Sequence, residues 1–125
     1  MQLEGIDHVA LSVRDVADAA RWYAEVLGFE RQHADVWGDV PAFVGKGTTA
    51  IALFPGQSAV KSGSADRTMR MLHLAFRADR KNFLAAREEL KRRGIDFEFE
   101  DHTISHSIYF QDPDGHNLEI TTYEV

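Results

Sequence analysis

Apolar and polar positions along the chain alternate in short runs, and twice the alternation gives way to a helical spacing. Residues 6–13, IDHVALSV, are rich in β-branched side chains and roughly alternate, which predicts a strand. Asp15 follows as a candidate helix cap. Val16, Ala19, Ala20, Tyr23, Val26 and Leu27 then recur at helical steps until Gly28, where a left-handed terminal residue is wanted. From Met71 the pattern returns. MLHLAFRA reads as a strand, Asp79 can cap, and Phe83, Ala86 and Leu90 form the stripe of a helix that ends at Gly94.

His8 precedes Gly28 by 20 residues and His73 precedes Gly94 by 21, so the two strand–helix units align to within one residue, the mark of an internal duplication. Three short strands are expected after each helix: 29–37, 40–45 and 48–54 in the first half, 95–100, 106–111 and 117–123 in the second. The expected fold is therefore α+β, a single domain over residues 1–125 built of paired βαβββ modules. Module 1 covers about 1–55 and module 2 about 70–125, with a linker at about 56–69; residues 55–67 have the Gly, Ser and charge content of an exposed connector. Two helices cannot cover two four-stranded sheets on both faces. They are expected to pack outside, leaving a curved mixed sheet around a cleft, with His8 and His73 as candidates to converge there.

Composition narrows the function classes. With 14 basic and 20 acidic side chains the formal charge is −6, which repels a nucleic-acid backbone. The one basic cluster, Lys91-Arg92-Arg93, falls at the end of a predicted helix, where it complements the helix dipole. There is no cysteine, hence no disulfide, thiolate metal site or cysteine nucleophile. No signal-peptide pattern opens the chain and no apolar run approaches the ~20 residues that span a bilayer. The reading is a cytoplasmic protein that handles a small molecule, binding neither nucleic acid nor membrane.

Two histidines related by duplication need an anionic partner to hold a divalent ion. Glu119 in HNLEITTYEV lies between Leu118 and Ile120, which face the other side of the pleat, so it points toward one face together with its polar neighbours. A core-facing carboxylate is costly unless paired or metal-bound. His8, His73 and Glu119 are thus the candidate ligands of one divalent ion. Two neutral nitrogens and one carboxylate oxygen suit Fe2+ or Mn2+, with Zn2+ and Ni2+ also accommodated, and leave positions open for substrate.

IDHVALSV, MLHLAF and SIYFQDPDGHNLEI closely resemble the vicinal oxygen chelate superfamily, which includes glyoxalase I, extradiol dioxygenases, fosfomycin-resistance proteins and bleomycin-binding proteins. The resemblance covers nearly the whole chain and implies the paired βαβββ fold, with metal ligands at positions matching His8, His73 and Glu119. Departures narrow it. A glyoxalase I-like enzyme carries a fourth ligand on the last strand of module 1, where this chain has Ala52 or Leu53. Fosfomycin-resistance proteins place Thr where Ala10 stands and need basic phosphonate-binding residues that this sequence does not display. Extradiol dioxygenases resemble it through a Tyr ten residues before the Glu, here Tyr109, and a nearby His, here His102, while their acid–base His between the metal histidines has no counterpart from Ala34 to Leu72.

The resemblance implies a metal-dependent enzyme acting on a small substrate that chelates through adjacent oxygens. An extradiol-type dioxygenase is the specific expectation, with Tyr109 and His102 as catalytic residues. A glyoxalase I-like lyase or isomerase and a non-catalytic drug-sequestering protein are the alternatives. A homodimer is expected because each module presents sheet edges. One of His102 and His106 is expected to be a solvated loop residue, and His116 and His33 to be exposed. Trp22 and Tyr23 should pack the first helix onto its sheet, and Trp37 should line the cleft or cap a strand.

Overall fold

A computed structural model describes residues 1–56 and 70–125. The chain divides into two compact units, residues 1–63 and 64–125. The first runs β1 (Val9–Val13), α1 (Val16–Leu27), β2 (Glu30–Gln32), α2 (Ala34–Trp37), β3 (Ala42–Lys46) and β4 (Thr49–Pro55). The second runs β5 (Leu74–Arg77), α3 (Arg80–Arg92), β6 (Glu98–Asp101), β7 (His106–Gln111) and β8 (Asn117–Thr122). Their sheets have the same topology, β1-β4-β3-β2 and β5-β8-β7-β6, with one parallel pair (β1 with β4, β5 with β8) and two antiparallel pairs each. This is the expected α+β, mixed-sheet βαβββ repeat. Most of the connector expected at 55–67 lies outside the described residues.

The two long helices, α1 and α3, begin and end for the reasons their sequences suggest. Asp15 is extended and its carboxylate accepts from the Asp18 N–H at 2.9 Å; Asp79 does the same for Asn82 at 2.7 Å. Gly28 takes φ 71° and donates to the Ala24 carbonyl, while the Phe29 N–H returns to Tyr23, which closes the last turn. Gly94 sits at φ 69° past α3. The basic cluster at the end of α3 is neutralised on its own helix: Lys91 pairs with Glu88, and Arg92 and Arg93 both pair with Glu89 at 2.6 Å. These hydrogen bonds hold the Glu89 carboxyl below its ordinary pKa.

Helices α1 and α3 each cover one face of their sheet. In the first unit Leu11, Val13, Ala42, Val44, Ile51 and Leu53 share a face by pairing register and are buried, as are Ala19, Ala20 and Tyr23 of α1, which packs on β3 and β4. In the second, Leu118, Ile120, Ile108 and Phe110 form the corresponding face, with Phe83 and Leu90 of α3 buried. Each such aliphatic side chain withdrawn from water contributes about 1.5–3 kcal/mol before entropy is counted.

Three boundaries differ from the sequence reading. The strand expected over 29–37 stops at Gln32, because His33 turns left-handed (φ 59°) and Ala34–Trp37 make one helical turn ended by Gly38. The apolar Ala34, Val36 and Trp37 do not alternate, so no pleat is favoured there. His8 and His73 lie immediately before β1 and β5 rather than inside them. The strand expected over 95–100 after the second module's helix instead begins at Glu98 and runs to Asp101.

Candidate metal centre

The helix-free face of the second sheet carries the chemistry. One row across it reads Ala75, Glu119, Tyr109, Glu98, from β5 through β8 and β7 to β6. The next row reads Ser107 opposite Thr121 and Glu100, and the one on the other side Gln111 opposite Asn117. His73, two residues before Ala75, joins this face: its Nε2 stands 2.9 Å from Glu119 Oε2. The other carboxylate oxygen, Oε1, accepts from the Ser107 hydroxyl at 2.6 Å, and Thr121 Oγ1 lies 3.0 Å from that hydroxyl.

Glu119 is 7% exposed and Ser107 fully buried. A carboxylate so placed needs every lone pair matched, and it has an imidazole on one oxygen and a hydroxyl on the other. Ser107 was not among the residues the sequence singled out. Its signal was there: Ser107 and Tyr109 alternate with buried Ile108 and Phe110, in phase with Glu119 and Thr121 on the neighbouring strand.

Tyr109 stands beside the pair, its ring edge-on to His73 at 5.9 Å, and its hydroxyl lies 2.9 Å from His102 Nε2. Burial, and then the negative charge of Glu119, push the phenol above its ordinary pKa, so it keeps its proton. Glu100 Oε2 is 3.4 Å from the same imidazole nitrogen. His102 is aimed by a tight turn: its N–H donates to the Ser105 carbonyl, the Thr103 N–H donates to the Asp101 carboxylate, and Thr103 itself takes φ 75°. A β-branched residue in the left-handed region is strained, a feature often found where a side chain must be held. His106 turns to the α3 side instead, edge-on to Phe99, whose other neighbour is the Arg87 guanidinium. His116 is partly buried in the DPDG turn, where its backbone closes onto Asp112. An open cleft of about 860 Å³ adjoins the site, lined by His73, Asp96, Glu98, Tyr109, Gln111 and Asn117.

In the first unit the same register sets Ala10 opposite Ala52 and Ala52 opposite Phe43. Ala52 is therefore the counterpart of Glu119, Phe43 of Tyr109, and His8 of His73; of the two positions considered for a fourth ligand, the register selects Ala52. His8 packs on Phe43 with ring centres 5.1 Å apart, and its Nδ1 is 2.8 Å from Asp7 Oδ2. Among the described residues, no three His, Asp or Glu side chains gather closely enough to hold an ion together. The structure thus joins His73 to Glu119 and Tyr109 to His102, and describes His8 within its own unit. The imidazole and buried carboxylate facing one another are the donor types a divalent ion takes, so the residues present fit such an ion.

Residues 5–120 match the Glyoxalase/Bleomycin resistance protein/Dioxygenase superfamily, and the chain belongs to it. Among curated proteins it is 30% identical over 125 residues to a metallothiol transferase FosB from Staphylococcus epidermidis, an alignment covering 96% of this chain and 84% of that one. It is 28% identical over 120 residues to the glutathione transferase FosA of Serratia marcescens, covering 94% and 80%. Among solved structures, the lactoylglutathione lyase of Agrobacterium tumefaciens superposes with a TM-score of 0.77 at 21% identity over 98% of this chain and 96% of that one, a likeness of fold. The fosfomycin-resistance protein FosX of Mesorhizobium loti gives 0.68 at 26% identity over 97% and 93%. The named relatives are enzymes that act on small molecules, and no helix among the described residues is long and apolar enough to cross a membrane.

Proposed function

We propose that this protein is a divalent-metal-dependent enzyme acting on a small substrate that binds through two adjacent oxygens, with His8, His73 and Glu119 as the ligands. The observation that carries the reading is the buried Glu119 carboxylate, held between Ser107 and His73, the latter lining an open cleft. The equivalence of His8 to His73 in the duplicated register supports His8 as the proposed third donor. Fe2+ or Mn2+ suits this set, and when bound the ion acts as Lewis acid and template for the two oxygens.

The chain's own groups supply proton handling. Tyr109 retains its proton and can donate to a substrate oxygen, while His102, 2.9 Å away, takes or returns it. Asp96 and Glu98 line the cleft, which disfavours a phosphonate dianion and agrees with Ala10 standing where the fosfomycin-resistance pattern has Thr. The Tyr109–His102 contact, with Tyr109 ten residues before Glu119, supports an extradiol-type oxidation as the leading reaction. A second reading, transfer of a thiol or a lyase step, is favoured by the names of the relatives. Among the described residues β1 and β5 are edge strands of their sheets and carry none of the acids that blunt the edge strand β6, so we also propose a C2 dimer.

Metal analysis of protein purified without chelator is expected to find one ion per chain, with His8→Ala, His73→Ala and Glu119→Gln each binding it far more weakly while remaining folded. Unchanged stoichiometry and affinity in all three variants would remove the assignment. Oxygen uptake during turnover would support the oxidation, and consumption of thiol without oxygen the transfer.

A further inference from the structure

The cleft beside Tyr109 is lined by residues of the second unit alone, and its lining differs in charge from one strand to the next. Toward β8 it is neutral: the Gln111 amide donates to the Asn117 side-chain oxygen at 3.0 Å, and the Asn117 amide donates to the Leu72 carbonyl at 3.2 Å. Toward β6 stand Asp96 and Glu98. Leu72, Ile95, Phe97 and Phe110 supply the apolar part of the lining, and no Lys or Arg belongs to it.

Protection of a sheet edge accounts for only part of this charge. β6 is the outer strand of its sheet, and Glu98, Glu100 and Asp101 discourage it from pairing with another chain. Asp96 lies before the strand begins and protects no edge, yet it lines the same cleft. Glu100 has His102 at 3.4 Å, whereas among the described residues neither Asp96 nor Glu98 meets a basic side chain. Two unpaired carboxylates along one wall of a cleft repel each other and any anion, and they draw cations in. Without a third His, Asp or Glu close by they make a poor cage for a metal ion, while an ammonium group asks only for one or two oxygens.

We infer that this cleft selects a substrate that carries a positive charge, a protonated amine held by Asp96 and Glu98, and that these two acids are specificity residues. Glu98, Tyr109 and Glu119 occupy one row on three neighbouring strands, which sets the backbones of Glu98 and Glu119 roughly 10 Å apart. The amine and the pair of oxygens therefore belong to opposite ends of one small molecule. The position of the oxygens rests on the metal reading above; the selection of charge does not.

The test uses three compounds that share a catechol end and differ in the charge at the end of a short side chain: dopamine (positive), 4-ethylcatechol (neutral) and dihydrocaffeate (negative). Calorimetry without oxygen, on Mn2+-loaded and metal-free protein, is expected to rank them in that order. Dopamine should bind about tenfold more tightly than 4-ethylcatechol at low salt, and the gap should narrow as salt is added. Asp96→Asn combined with Glu98→Gln should bring dopamine to the level of 4-ethylcatechol and leave 4-ethylcatechol unchanged. Both side chains are exposed, so the double variant should fold, which circular dichroism checks. Glu88→Gln removes an exposed acid of α3 that does not line the cleft, and should preserve the ranking. Equal affinities in the wild-type protein, or a ranking kept by the double variant, would overturn the inference. So would a ranking lost in Glu88→Gln as well, which would assign it to the overall charge of the chain. If Mn2+ changes the affinity of none of the three, the metal reading fails, while the ranking and the double variant still decide this one.

Discussion

Replacing Ser107 by Ala removes one oxygen from a fully buried position and takes from Glu119 the hydroxyl that donates to its Oε1 at 2.6 Å. A hydrogen bond to a charged group is worth about 1.5–3 kcal/mol, roughly twice a neutral one, and the cost is largest when the orphaned group cannot turn to water. Glu119 is 7% exposed, so little solvent is available to replace the hydroxyl. The metal-free variant should therefore lose about 1.5–3 kcal/mol of unfolding free energy at neutral pH. Thr121→Val serves as the comparison: it removes the neighbouring hydroxyl, which contacts Ser107 rather than the carboxylate, and should cost no more than about 1 kcal/mol. Urea unfolding in the presence of chelator measures both. Metal titration of the same two proteins should show Ser107→Ala about 10–100-fold weaker, the usual effect of losing a group that orients a ligand, and Thr121→Val close to wild type. Should Ser107→Ala prove no less stable than Thr121→Val and bind metal as wild type does, the carboxylate is not held by this hydroxyl.

Tyr109→Phe and His102→Ala should each lower turnover by about 10²-fold while leaving metal content unchanged; turnover within about twofold in both would return them to structural roles. The raised Tyr109 pKa has a definite sign: the neutral phenol's contribution to stability is fully present below the ordinary tyrosine pKa and is lost as pH rises through the raised value. In an ultraviolet titration, Glu119→Gln should bring this phenol down toward the ordinary tyrosine value, and an unmoved titration would mean that the Glu119 charge is not a cause. Light scattering should give about twice the 14.1 kDa chain mass, and monomer alone at tens of micromolar would rule the dimer out.

The elements most legible in the sequence were those set by local rules. Asp15, Asp79, Gly28 and Gly94 cap as their positions suggest, because a side-chain oxygen matched to a free N–H, or a glycine at positive φ, is a decision made within four residues. The repeat was legible too, since duplication leaves its spacing in the chain. The turn at 34–37 was not: a single helical turn has no period to detect, and it depends on His33 adopting a conformation that non-glycine residues seldom choose. Ser107 was missed for a different reason. A small polar residue on a strand is ordinary, and its value is set by register, which places it beside Glu119 from twelve residues away. Tyr109 and His102 came from likeness to a family pattern, and the 2.9 Å contact between them supplies a physical reason for their pairing.

The strained turn after β6 has a consequence for anyone wishing to make this protein hardier. Glycine at position 103 would relax the backbone at φ 75° and would rank high in any search for stabilising replacements. Yet the same threonine limits where the imidazole next to it can go, and a more permissive residue would let His102 sample positions away from the phenol. Heat resistance and turnover would then move in opposite directions at one residue, and a screen that selected for survival alone would discard the alignment that the turn preserves.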